Sequence, residues 1–183
     1  MATIHITEQL LLRAFDIDEF EQLFHTIQAS RQHLSPWLNW VAKTTRPEHS
    51  LEFIQQAQQQ RHNQEALALG IFYANAIVGG IGMHDWDQKT GIAQIGYWIS
   101  KDYEGKGIVK ASVRGLVDYL FGTIGLNKIE IHFVPANKRS AAIAEQLGFR
   151  VEGVLRHRVL RNGRVEDLVV TGLLKAEWKN RQS

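Results

Sequence analysis

Glycines at 105 and 107 bracket a lysine in the run Tyr103-Glu104-Gly105-Lys106-Gly107-Ile108, between a strand ending near Ser100 and a helix beginning near Gly107. Glycine lets the backbone turn tightly and approach a ligand closely. The amides of Gly105 to Val109 would then point outward at a helix N-terminus, where unpaired donors and the positive end of the helix dipole favour an anion. Lys106 adds a positive side chain. The pattern is not a nucleotide-triphosphate loop, because no Gly-x-x-x-x-Gly run ends in Lys-Ser or Lys-Thr. It lacks the third glycine and later acidic residue of a dinucleotide site. Taken alone, the Gly-x-Gly serves a tight turn as well as it serves a phosphate.

Other reactive side chains are few. Cysteine is absent, which removes disulfides, thiolate nucleophiles and cysteine-ligated zinc. The eight histidines show no His-x-x-x-His spacing, so metal chemistry is not expected. His84 is expected in a turn with Asp85, Trp86 and Asp87, where an imidazole could serve as a base or simply finish a strand. Glu130 alternates with Ile129 and Ile131 on a strand, and its expected side is solvent. Leu34, Pro36, Trp37 and Trp40 make a rigid apolar loop that either lines an acceptor site or plugs the core. Arg156, Arg158, Arg161 and Arg164 cluster near the C-terminus, with Arg156 and Arg158 expected on one strand face. A net charge of +2 argues against a nucleic-acid module.

These groups must be positioned by one domain spanning 1–183, with a composition of 44% hydrophobic and 22% charged residues ordinary for a globular fold. No secretory signal is visible at Met1 to Phe15 and no apolar run is long enough to span a bilayer, so no membrane partner and a cytoplasmic location are expected. Gln9 to Phe15 reads as a strand. Asp16 stands as N-cap before Ile17, Phe20, Leu23, Phe24 and Ile27 at helical spacing. Pro47 opens a second helix carrying Leu51, Phe53, Ile54 and Ala57. Strands are predicted at Ala66 to Tyr73, Ala76 to Met83, Gly91 to Ser100 and Lys128 to Val134, and helices at Gly107 to Phe121 and Ser140 to Leu147. Phe149 to Leu174 reads as a hairpin turning at Asn162-Gly163. The order β-α-α-β-β-β-α-β-α-β-β is that of an α/β domain with a mixed sheet.

The strand Ala93-Gln94-Ile95-Gly96-Tyr97-Trp98-Ile99, the glycine loop, the segment Val134-Pro135-Ala136-Asn137-Lys138-Arg139-Ser140 and the run Ala144-Glu145-Gln146-Leu147-Gly148-Phe149 follow in fixed order. Together with Trp37-Leu38-Asn39-Trp40 and Asn162-Gly163, they make the sequence resemble the GNAT superfamily of N-acetyltransferases, within it the RimJ/RimL-type ribosomal-protein N-terminal acetyltransferases. The resemblance implies a mostly antiparallel sheet with a splayed strand pair and flanking helices. It implies acetyl-CoA as co-substrate, with pantetheine along the backbone of Trp98, Ile99 and Ser100, and pyrophosphate on Gly105, Lys106, Gly107, Ile108 and Val109. Asn137 would bond the pantetheine amides, and Ser140 would donate to the departing thiolate. Trp37 and Trp40 would line the acceptor cleft, and a homo-oligomer is a further expectation. Three positions depart from the usual pattern. Glu104 stands for Gln or Arg, Val109 for Gly or Ala, and Gln94 for a frequent Glu, which leaves the base open among His84, Glu130 and a water chain. The implied reaction is direct attack of an amine on the thioester, with a protein N-terminus as acceptor. A small amine (polyamine, amino sugar or antibiotic) and an RNA-binding module are the alternatives.

Overall fold

The computed structural model describes residues 3–161 and 163–182. Its strands are β1 (Ile4–His5), β2 (Leu10–Arg13), β3 (Leu67–Tyr73), β4 (Ala76–Asp87), β5 (Ile92–Ile99), β6 (Lys128–Phe133), β7 (Arg150–Arg161) and β8 (Arg164–Leu174). The helices are α1 (Phe20–Ala29), α2 (Arg31–Leu34), α3 (Pro47–His62), α4 (Ile108–Tyr119), α5 (Lys138–Leu147) and α6 (Lys175–Gln182). The strands form one mixed sheet, hydrogen-bonded in the order β1-β2-β3-β4-β5-β6-β8-β7. β1–β2, β2–β3, β6–β8 and β7–β8 pair antiparallel, while β5–β6 is parallel. No helix among the described residues is long and apolar enough to cross a membrane.

Contacts divide the chain into two compact units. The first comprises the chain up to Gly82 with Tyr97–Leu116, and the second Met83–Gly96 with the chain from Val117 onward. In the first, Phe15, Leu23, Ile27, Leu34, Val41, Ile54, Phe72 and Ile77 form a buried cluster. Local chemistry sets its helices. Glu19 accepts from the Asp16 amide at 2.8 Å and is gripped by Arg13 at 2.6 Å, which closes the entry to α1. Pro47 occupies the first turn of α3, where its missing N–H costs nothing.

In the second unit the expected hairpin is present as β7 and β8. Gly163 turns at φ +74, and Asn162 lies outside the described residues. Asn137 caps α5 by accepting from the Ser140 amide at 3.2 Å, and Gly148 ends that helix at φ +85. β5 and β6 pair over Ile92–Gln94 and Lys128–Glu130, and both strands continue beyond that pairing. This is the expected divergence of the two strands.

Four differences from the sequence expectation have local causes. β4 runs on to Asp87, so His84 lies within a strand and not in a turn. Asp85 absorbs the irregularity at φ +49, a conformation short polar residues tolerate. The helix expected to reach Phe121 gives way to a π-helical turn over Leu120–Ile124, stopped by Gly125 at φ +86. The terminal hairpin shifts register between Leu155 and Val159, with His157 at φ +51, so the alternation that would put Arg156 and Arg158 on one face is interrupted. Finally, β1, α2 and α6 are too short or too polar to have been read from periodicity.

Candidate active site

In the first unit the chain leaves β5 through Ser100, which is buried and committed within the protein. Its amide donates to the Val78 carbonyl at 2.8 Å, and its carbonyl accepts from the Tyr103 amide at 3.1 Å. Trp98 and Ile99, the other two positions expected along pantetheine, lie within β5 itself. The Trp98 ring lies over Gly80, where an added methyl carbon would fall 2.4 Å from Nε1. Trp40 meets that ring edge-on, centroids 6.0 Å apart.

The loop that follows has the geometry its glycines predict. Gly105 and Gly107 both sit at φ +75, and a methyl group built on either would meet nothing within 4 Å. The loop is thus left-handed at two points and open on its outer side. The first backbone hydrogen bond leading into α4 runs from Ala111 to the Gly107 carbonyl at 3.0 Å. Among the described residues, no backbone bond outside the helices and strands is donated by Gly105, Lys106, Gly107, Ile108 or Val109. A helix start leaves its first amides without intrahelical acceptors, and here the turn that carries them is exposed at Gly105, Lys106 and Gly107. Ile108 is buried and anchors the helix, while Lys106 lies over the Tyr103 ring with Nζ 4.8 Å from the centroid.

Glu104, the departure before the first glycine, does not add an uncompensated charge. Lys101 Nζ holds its carboxylate at 3.1 Å and His33 lies at 3.5 Å. Ser30 Oγ accepts from the Lys101 amide at 3.0 Å, so the end of α1 and the start of the loop are joined. Arg31 then fixes the tryptophan loop. Its guanidinium donates to the Val41 carbonyl at 2.6 Å and to the Thr44 carbonyl, and its Nε to Gln28 at 2.8 Å. Leu34 and Val41 are buried, Trp37 is half-buried, and Trp40 is 38% exposed. The loop is therefore plugged into the core at its ends and presents Trp40 outward. Arg31 and Ser30 carried no signal in the sequence, since most of their partners are main-chain groups brought near by folding.

The second unit holds the other expected residues. Asn137 and Ser140 meet in the α5 cap, both partly exposed. His84 bonds Asp85 at 2.9 Å through Nδ1, and its ring stands over Gly96. Glu130 does not face open solvent. It accepts from Lys128 at 2.8 Å and pairs with His132 at 2.8 Å, with about a fifth of its side chain exposed. Burial works to raise its pKa, but hydrogen bonds from Lys128 and His132 outweigh it and hold the carboxyl below the ordinary value. Lys128, shared with Glu152, is shifted the other way: burial lowers it, and the two carboxylates more than restore it. His132 was missed in the sequence because nothing marks it as the partner of a carboxylate two residues earlier on the same strand face.

A family model described as an acetyltransferase (GNAT) domain matches residues 9–150. The chain belongs to the GNAT acetyltransferase family and is an N-acetyltransferase. Among its relatives, the putative ribosomal N-acetyltransferase YdaF of Bacillus subtilis (strain 168) is 33% identical over 180 residues, covering 98% of each chain. The ribosomal-protein-serine acetyltransferase of Escherichia coli (strain K12) is 24% identical over 166 residues, covering 91% of this chain and 93% of that protein. Of solved structures, the microcin C7 self-immunity acetyltransferase MccE, in complex with acetyl-CoA and AMP, superposes with a TM-score of 0.88 at 28% identity, covering 92% of this chain and 94% of that one. RimL, a ribosomal L7/L12 alpha-N-protein acetyltransferase in complex with coenzyme A, reaches 0.91 at 22% identity, covering 94% and 98%, and so shares the fold.

Proposed function

We propose that the protein transfers an acetyl group from acetyl-CoA to the α-amine of a protein N-terminus, ribosomal proteins among the acceptors, by direct attack in a ternary complex. The doubly left-handed, open glycine turn at the start of α4 carries this reading, because among the described residues no backbone bond outside the helices and strands uses the amides of Gly105 to Val109 at this helix start. The amides of Gly105 to Val109 hold the diphosphate, with Lys106 adding charge. Trp98 and Ile99 offer backbone groups to pantetheine, Asn137 its side-chain amide, and Ser140 a proton for the departing thiolate. Trp37 and Trp40 bound the acceptor, and His84 is a candidate to contact the amine.

The acceptor class follows from proton chemistry. An α-ammonium has a pKa of about 7.7–8.0, so on the order of a tenth is neutral at pH 7, whereas a lysine at about 10.4 is roughly one in a few thousand neutral. A site with Gln94 in place of a carboxylate suits the amine that needs less help. Relatives named for acetylating ribosomal proteins support the same choice. The test offers the purified protein acetyl-CoA with peptides differing in a free N-terminus and an internal lysine. Mass spectrometry should place acetyl on the N-terminus, and products confined to internal lysines would overturn the acceptor assignment.

A further inference from the structure

In the first unit the glycine turn begins where a well-anchored segment ends. The Lys101 amide donates to the hydroxyl of buried Ser30 at 3.0 Å. The Tyr103 amide donates to the Ser100 carbonyl at 3.1 Å, and the Glu104 amide to the Lys101 carbonyl at 3.2 Å. Beyond Glu104 the anchoring stops. Gly105 and Gly107, both at φ +75, flank Lys106 on a stretch where a methyl group built on either glycine would meet nothing within 4 Å. Lys106 itself is exposed. A lysine in such a place would ordinarily sample many rotamers, and a ligand that used its charge would have to order it.

One contact reaches across the turn from the anchored side to the open one. Lys106 Nζ lies 4.8 Å from the centroid of the Tyr103 ring. That is inside the roughly 6 Å over which the negative face of an aromatic ring attracts an ammonium. Tyr103 is steadied in turn by Tyr73, the last residue of β3. The two half-buried rings meet edge-on, with centroids 5.9 Å apart and planes at 63°. Glu104, the carboxylate nearest in sequence, is taken by Lys101 at 3.1 Å, with His33 at 3.5 Å. Among the described residues the Lys106 ammonium therefore has an aromatic partner and no carboxylate partner.

We propose that Tyr103 is a positioning residue for the diphosphate of acetyl-CoA: its ring, braced by Tyr73, holds the Lys106 ammonium beside the glycine turn before the cofactor arrives. This rests on the diphosphate reading of the turn and deepens it. An ammonium carries three donors, so one side can stay against the ring while the others meet phosphate oxygens. The cofactor then finds its counter-charge in place, and the lysine loses its rotamer freedom on folding and not on binding. A ring contact at an exposed site biases the side chain by about two- to fivefold. Affinity scales with the fraction of molecules competent to bind, so removing the ring weakens binding by about that factor. The ring does this work, and the Tyr103 hydroxyl has no part in it.

The experiment measures the acetyl-CoA affinity of the full chain by calorimetry at low and high salt, with thermal melts to confirm folding. Tyr103→Leu should bind about two- to fivefold more weakly. Tyr103→Phe keeps the ring and should bind within about 1.5-fold of wild type. Lys106→Met should bind at least as weakly as Tyr103→Leu, with a smaller salt dependence. The deciding measurement is the double variant: in the Lys106→Met background, Tyr103→Leu should add less than about 1.5-fold, because the two residues act as one unit. The proposal is overturned if Tyr103→Leu binds like wild type, if Tyr103→Phe loses as much as Tyr103→Leu, or if the Tyr103→Leu loss persists without the lysine. Should Tyr103→Leu fail to fold, Tyr73→Leu takes its place. Removing the brace should weaken binding only while Lys106 is present, and no loss, or a loss independent of Lys106, overturns the proposal. Lys106→Met and Gly107→Ala both binding like wild type would remove the diphosphate reading itself. A weakened Lys106→Met beside an unaffected Tyr103→Leu removes only the role of Tyr103.

Discussion

Replacing Gly107 by alanine isolates the backbone conformation on which the proposed cofactor site depends. At φ +75 with nothing within 4 Å of the new methyl group, the substitution introduces no clash. Its effect is the cost of holding an L-residue in the left-handed region, about 1–2 kcal/mol. That cost can fall in two places. If the turn is held by its surroundings, the protein loses stability, and at roughly 2–4 °C per kcal/mol for a chain of this size the melting temperature falls by about 2–8 °C. If the turn relaxes instead, the ligand must restore it on binding, and acetyl-CoA affinity falls by about 5–30-fold, since 1.4 kcal/mol is tenfold. Either way the summed loss in stability and binding should come to about 1–2 kcal/mol. Gly105→Ala should behave alike, having the same φ and the same open surroundings. Gly122 provides the control: it also has open space but no left-handed φ, so Gly122→Ala should be neutral or stabilising by up to about 1 kcal/mol. Thermal melts with and without acetyl-CoA, together with calorimetric titration, measure both parts. A Gly107→Ala protein that melts and binds like wild type would refute the left-handed cradle, and with it the use of these amides for the diphosphate.

Asn137→Ala should lower stability by about 1 kcal/mol through the lost cap, whereas Asn137→Asp keeps the accepting oxygen and should melt within about 1 °C of wild type. If the side-chain amide also serves pantetheine, both variants bind acetyl-CoA more weakly, as calorimetry would read. Glu130 has its pKa held below the ordinary 4.5 in the folded state, so its stabilising contribution is complete above that value and is lost as pH falls through the folded value. The melting-temperature gap between wild type and Glu130→Gln should therefore be constant near neutrality, narrow below about pH 4.5 and close in stronger acid. Trp178 is buried and donates from Nε1 to Asp118 at 2.7 Å, tying α6 to α4, so Trp178→Phe should cost about 1–3 kcal/mol. Urea unfolding that detects no loss would show that this bond does not hold α6.

How much of the fold could be read in advance follows from where its determinants lie. α1, α3 and α5 carry their signals within a few residues: Asp16 with Glu19, Pro47 at a first turn, and Asn137 followed by Gly148. The strands β5 and β6 alternate with buried apolar residues, β3 is a short, largely buried apolar run, and β7–β8 announces itself by its turn. What failed was local pattern opposed by pairing. β4 was expected to stop at Met83 because His84-Asp85 reads as a turn, yet the strand absorbs Asp85 at φ +49 and continues to Asp87. The helix after the glycine loop passes into a π-helical turn at Leu120, where Leu120 and Phe121 are buried and Gly125 at φ +86 ends it, a local change that periodicity does not mark.

The site divides along the same line, and the division explains why one half was legible. The proposed diphosphate cradle is a main-chain device, so its requirements appear as glycines at fixed spacing, and changes such as Glu104 and Val109 leave the turn intact because it asks nothing of the side chains at those positions. Glu104 is even absorbed by Lys101 and His33. Proton handling depends instead on which side chains adjacent strands place on one face. Gln94 and Glu130 are 36 positions apart and meet only through parallel register. The carboxylate absent at 94 therefore reads as a gap in the sequence, while one strand away Glu130 pairs with His132 at 2.8 Å. Reading position 94 in isolation tests whether a residue is present. The polar chemistry of that face is set by two strands together, and the register of β5 and β6 decides which side chains it joins.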